Sequence, residues 1–176
     1  MNLACSVTIA RIVLVPFIII LLLGQYWYYA AMLFVVASLT DLVDGWIARR
    51  FNQQTALGQI LDPIADKLLI AGTLYTLLGL LSLQPWYRYV MLFLIAKEFI
   101  LLLGGAVLWF RYHLFIQPSR LSRGASICEI ALILALFLNF MMYPISELIS
   151  LLLIVNLGLS FWLLARYARV VKNLFM

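Results

Sequence analysis

Residues 41–67 read DLVDGWIARRFNQQTALGQILDPIADK and hold Asp41, Asp44, Asp62 and Asp66, four of the chain's seven acidic residues. Asp41 and Asp44 are three apart, and Asp62 and Asp66 are four apart. Either spacing puts a pair on one face of a helix. A short polar link between the pairs would fold one helix back beside the other and bring all four carboxylates to a similar depth. Four such groups repel one another unless cations sit among them. Hard divalent ions such as Mg²⁺ or Mn²⁺ take oxygen ligands of this kind, and two ions about 3.5–4 Å apart suit displacement at phosphorus. The competing explanation is a helix-end salt-bridge cluster with Arg49, Arg50 and Lys67. It accounts for one or two aspartates, not for four in paired register.

The residues between the pairs fit a phosphate ligand. Gly45 and Ala48 are small and border the surface that carries Asp41 and Asp44, which lets a ligand or a neighbouring backbone come close. Gly45 alone would serve helix packing equally well. Arg49, one turn beyond Gly45, is placed to hold a diphosphate by charge-assisted hydrogen bonds. Arg50 reads as an ordinary membrane-flanking charge. Gly58 would open the approach to the third helix, and Pro63 suits the first turn of that helix.

The elements that must position these groups follow from composition. The chain has 176 residues, 66% hydrophobic and 11% charged. A water-soluble domain of this length has too little interior for so much apolar surface. A membrane-crossing helix takes about 20 mostly apolar residues, so there is room for six and for no separate soluble domain. The expected organisation is one all-α integral membrane domain over residues 1–176. Apolar runs lie near 5–23, 27–48, 61–82, 87–110, 122–142 and 145–168.

Arg49 and Arg50, then Arg111, Arg120 and Arg123, then Arg166, Arg169 and Lys172 fall at alternate breaks; the other breaks hold Arg88 alone. The positive-inside rule then predicts both termini in the cytoplasm, a multi-pass protein of the cytoplasmic membrane, and the aspartates near its cytoplasmic face. Trp27, Tyr28, Trp86, Tyr87 and Tyr143 would form an aromatic belt at the outer interface.

The net charge of +5 sits between apolar runs and not in a stripe with interleaved aromatics, which argues against nucleic acid. The first run contains Arg11 and lacks a small-residue cleavage site, so it reads as a membrane helix and not as a cleaved signal. Cys5 and Cys128 lack metal-type spacing and read as small apolar residues. His113 reads as solvated.

Asp41, Asp44, Gly45, Ala48, Arg49, Gly58, Asp62 and Asp66 match the pattern Asp-x₂-Asp-Gly-x₂-Ala-Arg-x₈-Gly-x₃-Asp-x₃-Asp. This resembles the signature of the CDP-alcohol phosphotransferases, and the resemblance covers essentially the whole chain. It implies six transmembrane helices in a homodimer and a CDP-linked lipid substrate, CDP-diacylglycerol. It implies two divalent cations, Mg²⁺ or Mn²⁺, held by the four aspartates, with Asp66 as general base. The acceptor hydroxyl would attack the lipid-side phosphorus and displace CMP. A carboxylate beside two cations is a weak base, so Asp66 would depend on the metal to acidify that hydroxyl.

The opening MNLACSVTIARIVLVP is similar to that of members making phosphatidylglycerophosphate. Thr8, Arg11 and Pro16 match, while ACSV replaces the family's Pro-Asn-x-Leu. Thr8 and Arg11 join Gly45, Ala48, Arg49 and Gly58 as candidates for the CDP pocket. Arg11 snorkelling to the interface is the alternative.

The signature reads only the CDP half of the reaction. Glycerol 3-phosphate as acceptor needs basic partners, and the candidates are Lys97, Arg111, Arg120 and Arg123. Lys97-Glu98-Phe99 is similar to the Arg-Glu-Phe of phosphatidylglycerophosphate-making members, though a structural role suits Lys97 equally and adjacent residues on a helix are expected to point apart. Pro118, Ser119, Ser122 and Arg123 instead resemble the cardiolipin synthases of the same family, which would make phosphatidylglycerol the acceptor. A serine or inositol acceptor is a further alternative. Two other classes compete. A transporter with a carboxylate relay would place ionisable residues near the bilayer midplane, with broken helices in paired halves. A non-catalytic assembly protein would tolerate the loss of any one aspartate.

Overall fold

The computed structural model describes the backbone of residues 3–50, 56–80, 84–112, 120–141 and 145–175, and their side chains except those of residues 3–7, 41–50, 56–62, 110, 112, 120 and 173–175. The described residues form six helices and no strand: α1 (Leu3–Leu23), α2 (Trp27–Arg50), α3 (Ala56–Leu80), α4 (Pro85–Tyr112), α5 (Arg120–Phe140) and α6 (Ser146–Phe175). Each matches one apolar run of the sequence. Pro63–Leu80, Pro85–Trp109, Leu121–Phe140 and Ser146–Lys172 are long and apolar enough to cross a membrane. Thr8–Leu23 and Trp27–Thr40 are shorter apolar stretches of α1 and α2.

The surface is as greasy as the centre. Ile18, Phe34, Leu74, Met91, Leu136 and Leu153 are buried core residues. Ile20, Leu103, Ile127, Ile154 and Phe161 are exposed. Water does not tolerate so broad an apolar exterior, whereas lipid does.

α1 packs against α2 and α3, α3 against α4 and α5, α4 against α6, and α5 against α2 and α6. The sequence suggests α2 and α3 as direct neighbours. Among the described residues, α1 and α5 each bridge the two. The helix carrying Thr8 and Arg11 therefore contacts both aspartate-bearing helices.

Turns are built locally. At the end of α1 the amide of Tyr26 donates to the Leu21 carbonyl and that of Gln25 to the Leu22 carbonyl, both at 2.9 Å. This crossed pair is a Schellman ending, whose penultimate residue takes the left-handed conformation. Gln25 holds that position with φ 60°. Gly24 leaves room for the Tyr26 ring, which a Cβ there would approach to 2.9 Å. Pro85 opens α4, where no amide partner is needed.

Two sequence expectations change. Pro63 is not in the first turn of α3: the helix begins at Ala56 and the proline lies inside it. A proline there gives no N–H to the carbonyl four residues earlier. Tyr87 is not an outward-facing belt residue. It is buried, and its hydroxyl meets the Ser146 carbonyl at 3.2 Å and Ser150 Oγ at 2.5 Å, tying α4 to α6. Trp27 stacks on Phe140 at 3.8 Å between ring centroids, whereas Tyr28 and Trp86 are exposed. His113, Pro118, Ser119 and Tyr143 lie outside the described residues.

Candidate active site at one end of the bundle

Short links set the levels of the candidate residues. α1 turns into α2 within three residues, and five residues join α2 to α3. The start of α1, the end of α2 and the start of α3 therefore share one end of the bundle. At about 1.5 Å of rise per residue, Thr8, Arg11, Asp41, Asp44, Asp62 and Asp66 all lie roughly 8–15 Å along their helices from that end. Both aspartate pairs fall on helical backbone, so their three- and four-residue spacings translate into shared faces.

Asp66 has a partly buried side chain. Its predecessor Ala65 is fully buried, which seats this turn of α3 in the interior. Thr8 and Arg11 are buried too, with 1% and 2% of their surface exposed. Arg11 is thus enclosed by the bundle and does not snorkel outward. The side chains of Asp41, Asp44, Asp62, Gly45, Ala48, Arg49, Gly58 and Arg120 lie outside those described. Among the described side chains no three of His, Cys, Asp or Glu are grouped to hold a metal ion.

The acceptor-side candidates divide. Arg111, in the last turn of α4, and Arg123, in the first turn of α5, are exposed. Lys97 is buried at 1% exposure. Its ammonium donates to Glu129 Oε1 on α5 and lies 2.6 Å from Glu98 Oε1. Glu98 in turn pairs with Lys67 on α3. The expectation that Lys97 and Glu98 point apart is corrected here. Their Cα–Cβ bonds leave the helix in different directions, but long side chains with no water to turn to meet at their tips. Lys97 also proves less remote than its mid-helix position suggests, because its partner Glu98 reaches the residue next to Asp66.

Glu129 escaped the sequence reading. The available signal was an acidic residue alone in the apolar run ICEIALILALF, matched by a lone Lys-Glu in the run before it. Asn156 escaped likewise; its amide donates to the Cys128 and Leu152 carbonyls at 3.1 and 2.9 Å, joining α6 to α5. Cys128 is a free thiol.

Residues 1–163 match the family described as CDP-alcohol phosphatidyltransferase. The chain belongs to the CDP-alcohol phosphatidyltransferase family. Two relatives are both named CDP-diacylglycerol–glycerol-3-phosphate 3-phosphatidyltransferase. The one from Wigglesworthia glossinidia brevipalpis is 34% identical over 104 residues, 57% of each chain. The one from Escherichia coli strain K12 is 44% identical over 73 residues, 40% of each chain. The chain thus spans between two fifths and three fifths of the length of these relatives. In this chain the eight signature positions fall on the end of α2 and the start of α3, with α1 in contact with both helices.

Proposed function

We infer that the protein transfers a phosphatidyl group from CDP-diacylglycerol to glycerol 3-phosphate and releases CMP. The observation that carries this reading is the complete aspartate signature on the adjoining ends of two helices, in a chain of this family. The choice of acceptor is supported by the names of the two relatives.

Asp41, Asp44, Asp62 and Asp66 would hold two divalent cations, Mg²⁺ or Mn²⁺. The donor set fits: four carboxylates at one level, with hard oxygen ligands and no sulfur or imidazole among them. Such ions supply charge neutralisation for the diphosphate and for the leaving CMP. The chain's own residues do the rest. Gly45, Ala48 and Gly58 leave room for the cytidine diphosphate, and Arg49, with Arg11 and Thr8 on α1, binds it. Asp66 takes the proton from the acceptor hydroxyl. A new P–O bond forms at the lipid-side phosphorus, and the bond to the CMP oxygen breaks. Lys97 is engaged by two carboxylates, so the acceptor phosphate is assigned to Arg111, Arg120 and Arg123. All three flank the junction of α4 and α5 at the same end of the bundle.

The same reading places six helices across the cytoplasmic membrane of a bacterium, as a homodimer. Both termini and the site face the cytoplasm, where the basic ends of α2, α4 and α6 would lie. A transporter with broken helices in paired halves is disfavoured, because α1–α6 run unbroken among the described residues.

The test is CMP release by purified protein with CDP-diacylglycerol and Mg²⁺ or Mn²⁺, supplying glycerol 3-phosphate or phosphatidylglycerol separately and identifying the lipid made. Release with glycerol 3-phosphate, lost on chelation of the metal and in Asp44→Ala or Asp66→Ala, is expected. Release with phosphatidylglycerol alone would replace the acceptor and favour a cardiolipin synthase. Near-normal turnover in either aspartate variant would sink the metal site.

A further inference from the structure

Four buried or partly buried charged side chains form a line of ion pairs across α3, α4 and α5. Lys67 of α3 pairs with Glu98 of α4. Glu98 lies beside Lys97 of the same helix at 2.6 Å, and Lys97 pairs with Glu129 of α5. The signs alternate along the line and sum to zero. Glu98, Lys97 and Glu129 each have 1% of the side chain exposed, and Lys67 has 21%. Charges buried in this way are tolerated only in mutual company. Removing one partner leaves the other uncompensated.

The line ends at a chemically sensitive place. Lys67 directly follows Asp66, a residue assigned above to the cation site. An ammonium at that position repels a divalent cation and competes with it for the carboxylates. Glu98 stands against that ammonium, from the helix across the α3–α4 interface. Lys97 and Glu129 hold Glu98 in turn, from its own helix and from α5.

We propose that Glu98 is a positioning residue for the aspartate site: it cancels the charge of Lys67 and fixes α3 against α4 at the level of Asp66, so that cations meet the carboxylates without a competing ammonium. The proposal rests on the metal reading above and adds to it residues outside the signature. Its mark is a difference in sign. Loss of Glu98 bares a positive charge beside the site, while loss of Lys67 removes one. A purely structural network would make the two losses alike.

The experiment measures Mn²⁺ affinity of the detergent-solubilised full chain by electron paramagnetic resonance, without nucleotide or lipid substrate, and the thermal midpoint alongside. Glu98→Gln should weaken Mn²⁺ binding on the order of tenfold, as expected for one uncompensated charge within several ångströms in a medium between protein and water. Lys67→Gln should bind Mn²⁺ as tightly as the parent or tighter. The double variant Lys67→Gln/Glu98→Gln should return towards the parent. Glu129→Gln, which removes a partner of Lys97 and not of Lys67, should lower the midpoint and weaken Mn²⁺ binding less than Glu98→Gln does.

Parental Mn²⁺ affinity in Glu98→Gln overturns the proposal, and so does equal weakening in Glu98→Gln and Lys67→Gln. If Glu98→Gln does not fold, Lys67→Gln decides: weaker Mn²⁺ binding there overturns it, and unchanged or tighter binding supports it. Asp44→Asn separates the two readings. Loss of Mn²⁺ in Asp44→Asn with no change in Glu98→Gln defeats the positioning role alone. A parent that binds no Mn²⁺, or an Asp44→Asn variant that binds it normally, defeats the metal reading and this proposal with it.

Discussion

Gln25 passes the chain from α1 to α2 through φ 60°, a conformation in which an L side chain crowds its own backbone. Glycine has no such crowding. The left-handed strain is roughly 1–2 kcal/mol, and the extra freedom glycine has when unfolded offsets about 0.5–1 kcal/mol of it. Gln25→Gly should therefore stabilise the protein by a net amount of about 0.5 kcal/mol, read as a small rise in thermal midpoint in detergent. A fall would mean that the glutamine side chain makes a stabilising contact that outweighs the strain. At this scale the sequence was most informative where chemistry is encoded locally. The aspartates stand out because carboxylates are rare in so apolar a chain. The partners of Lys97 do not, because Glu129 is 32 residues away and no local pattern says which way either helix is turned.

Helix-level packing depends on where backbones come closest. A Cβ on Gly104 of α4 would collide with the Tyr167 hydroxyl of α6 and lie 2.8 and 2.9 Å from Cζ and Cε1 of that ring. A Cβ on the adjacent Gly105 would meet nothing within 4 Å. Gly104→Ala should destabilise by about 1–3 kcal/mol, the usual range for overpacking, because the colliding ring is stiff. Gly105→Ala should be neutral or mildly stabilising, since alanine favours helix over glycine by up to about 1 kcal/mol. Paired thermal melts in one detergent check this; equal effects would show that α4 and α6 do not approach at Gly104. Six helices were legible because apolar runs of membrane length admit few other structures. The start of α3 was not. A proline near the head of an apolar run reads as a first-turn residue, but the seven residues before it continue the helix back to Ala56. The azimuth of each helix, which made Tyr87 a strap between α4 and α6 and not an interfacial residue, depends on neighbours that no single segment specifies.

For the whole molecule, the distribution of basic residues fixes an expected orientation. With Cys5 and Cys128 replaced, Lys172→Cys near the end of α6 should react with a membrane-impermeant maleimide only after cells are lysed. Tyr89→Cys, at an exposed site near the start of α4, should react in intact spheroplasts. The opposite pattern would reverse the topology and move the aspartates to the outer face. This prediction tests the frame of the proposed reaction, because its water-soluble acceptor and CMP would then have to be handled on that outer side.

The alternating charges bear on how the molecule comes into being. Synthesis runs in chain order, so the line of four is delivered in instalments: Lys67 with α3, Lys97 and Glu98 with α4, Glu129 with α5. When α4 is complete this set still carries one surplus positive charge, and only α5 removes it. The order of translation is thus also the order of neutralisation, and the line is balanced only once the fifth helix has left the ribosome.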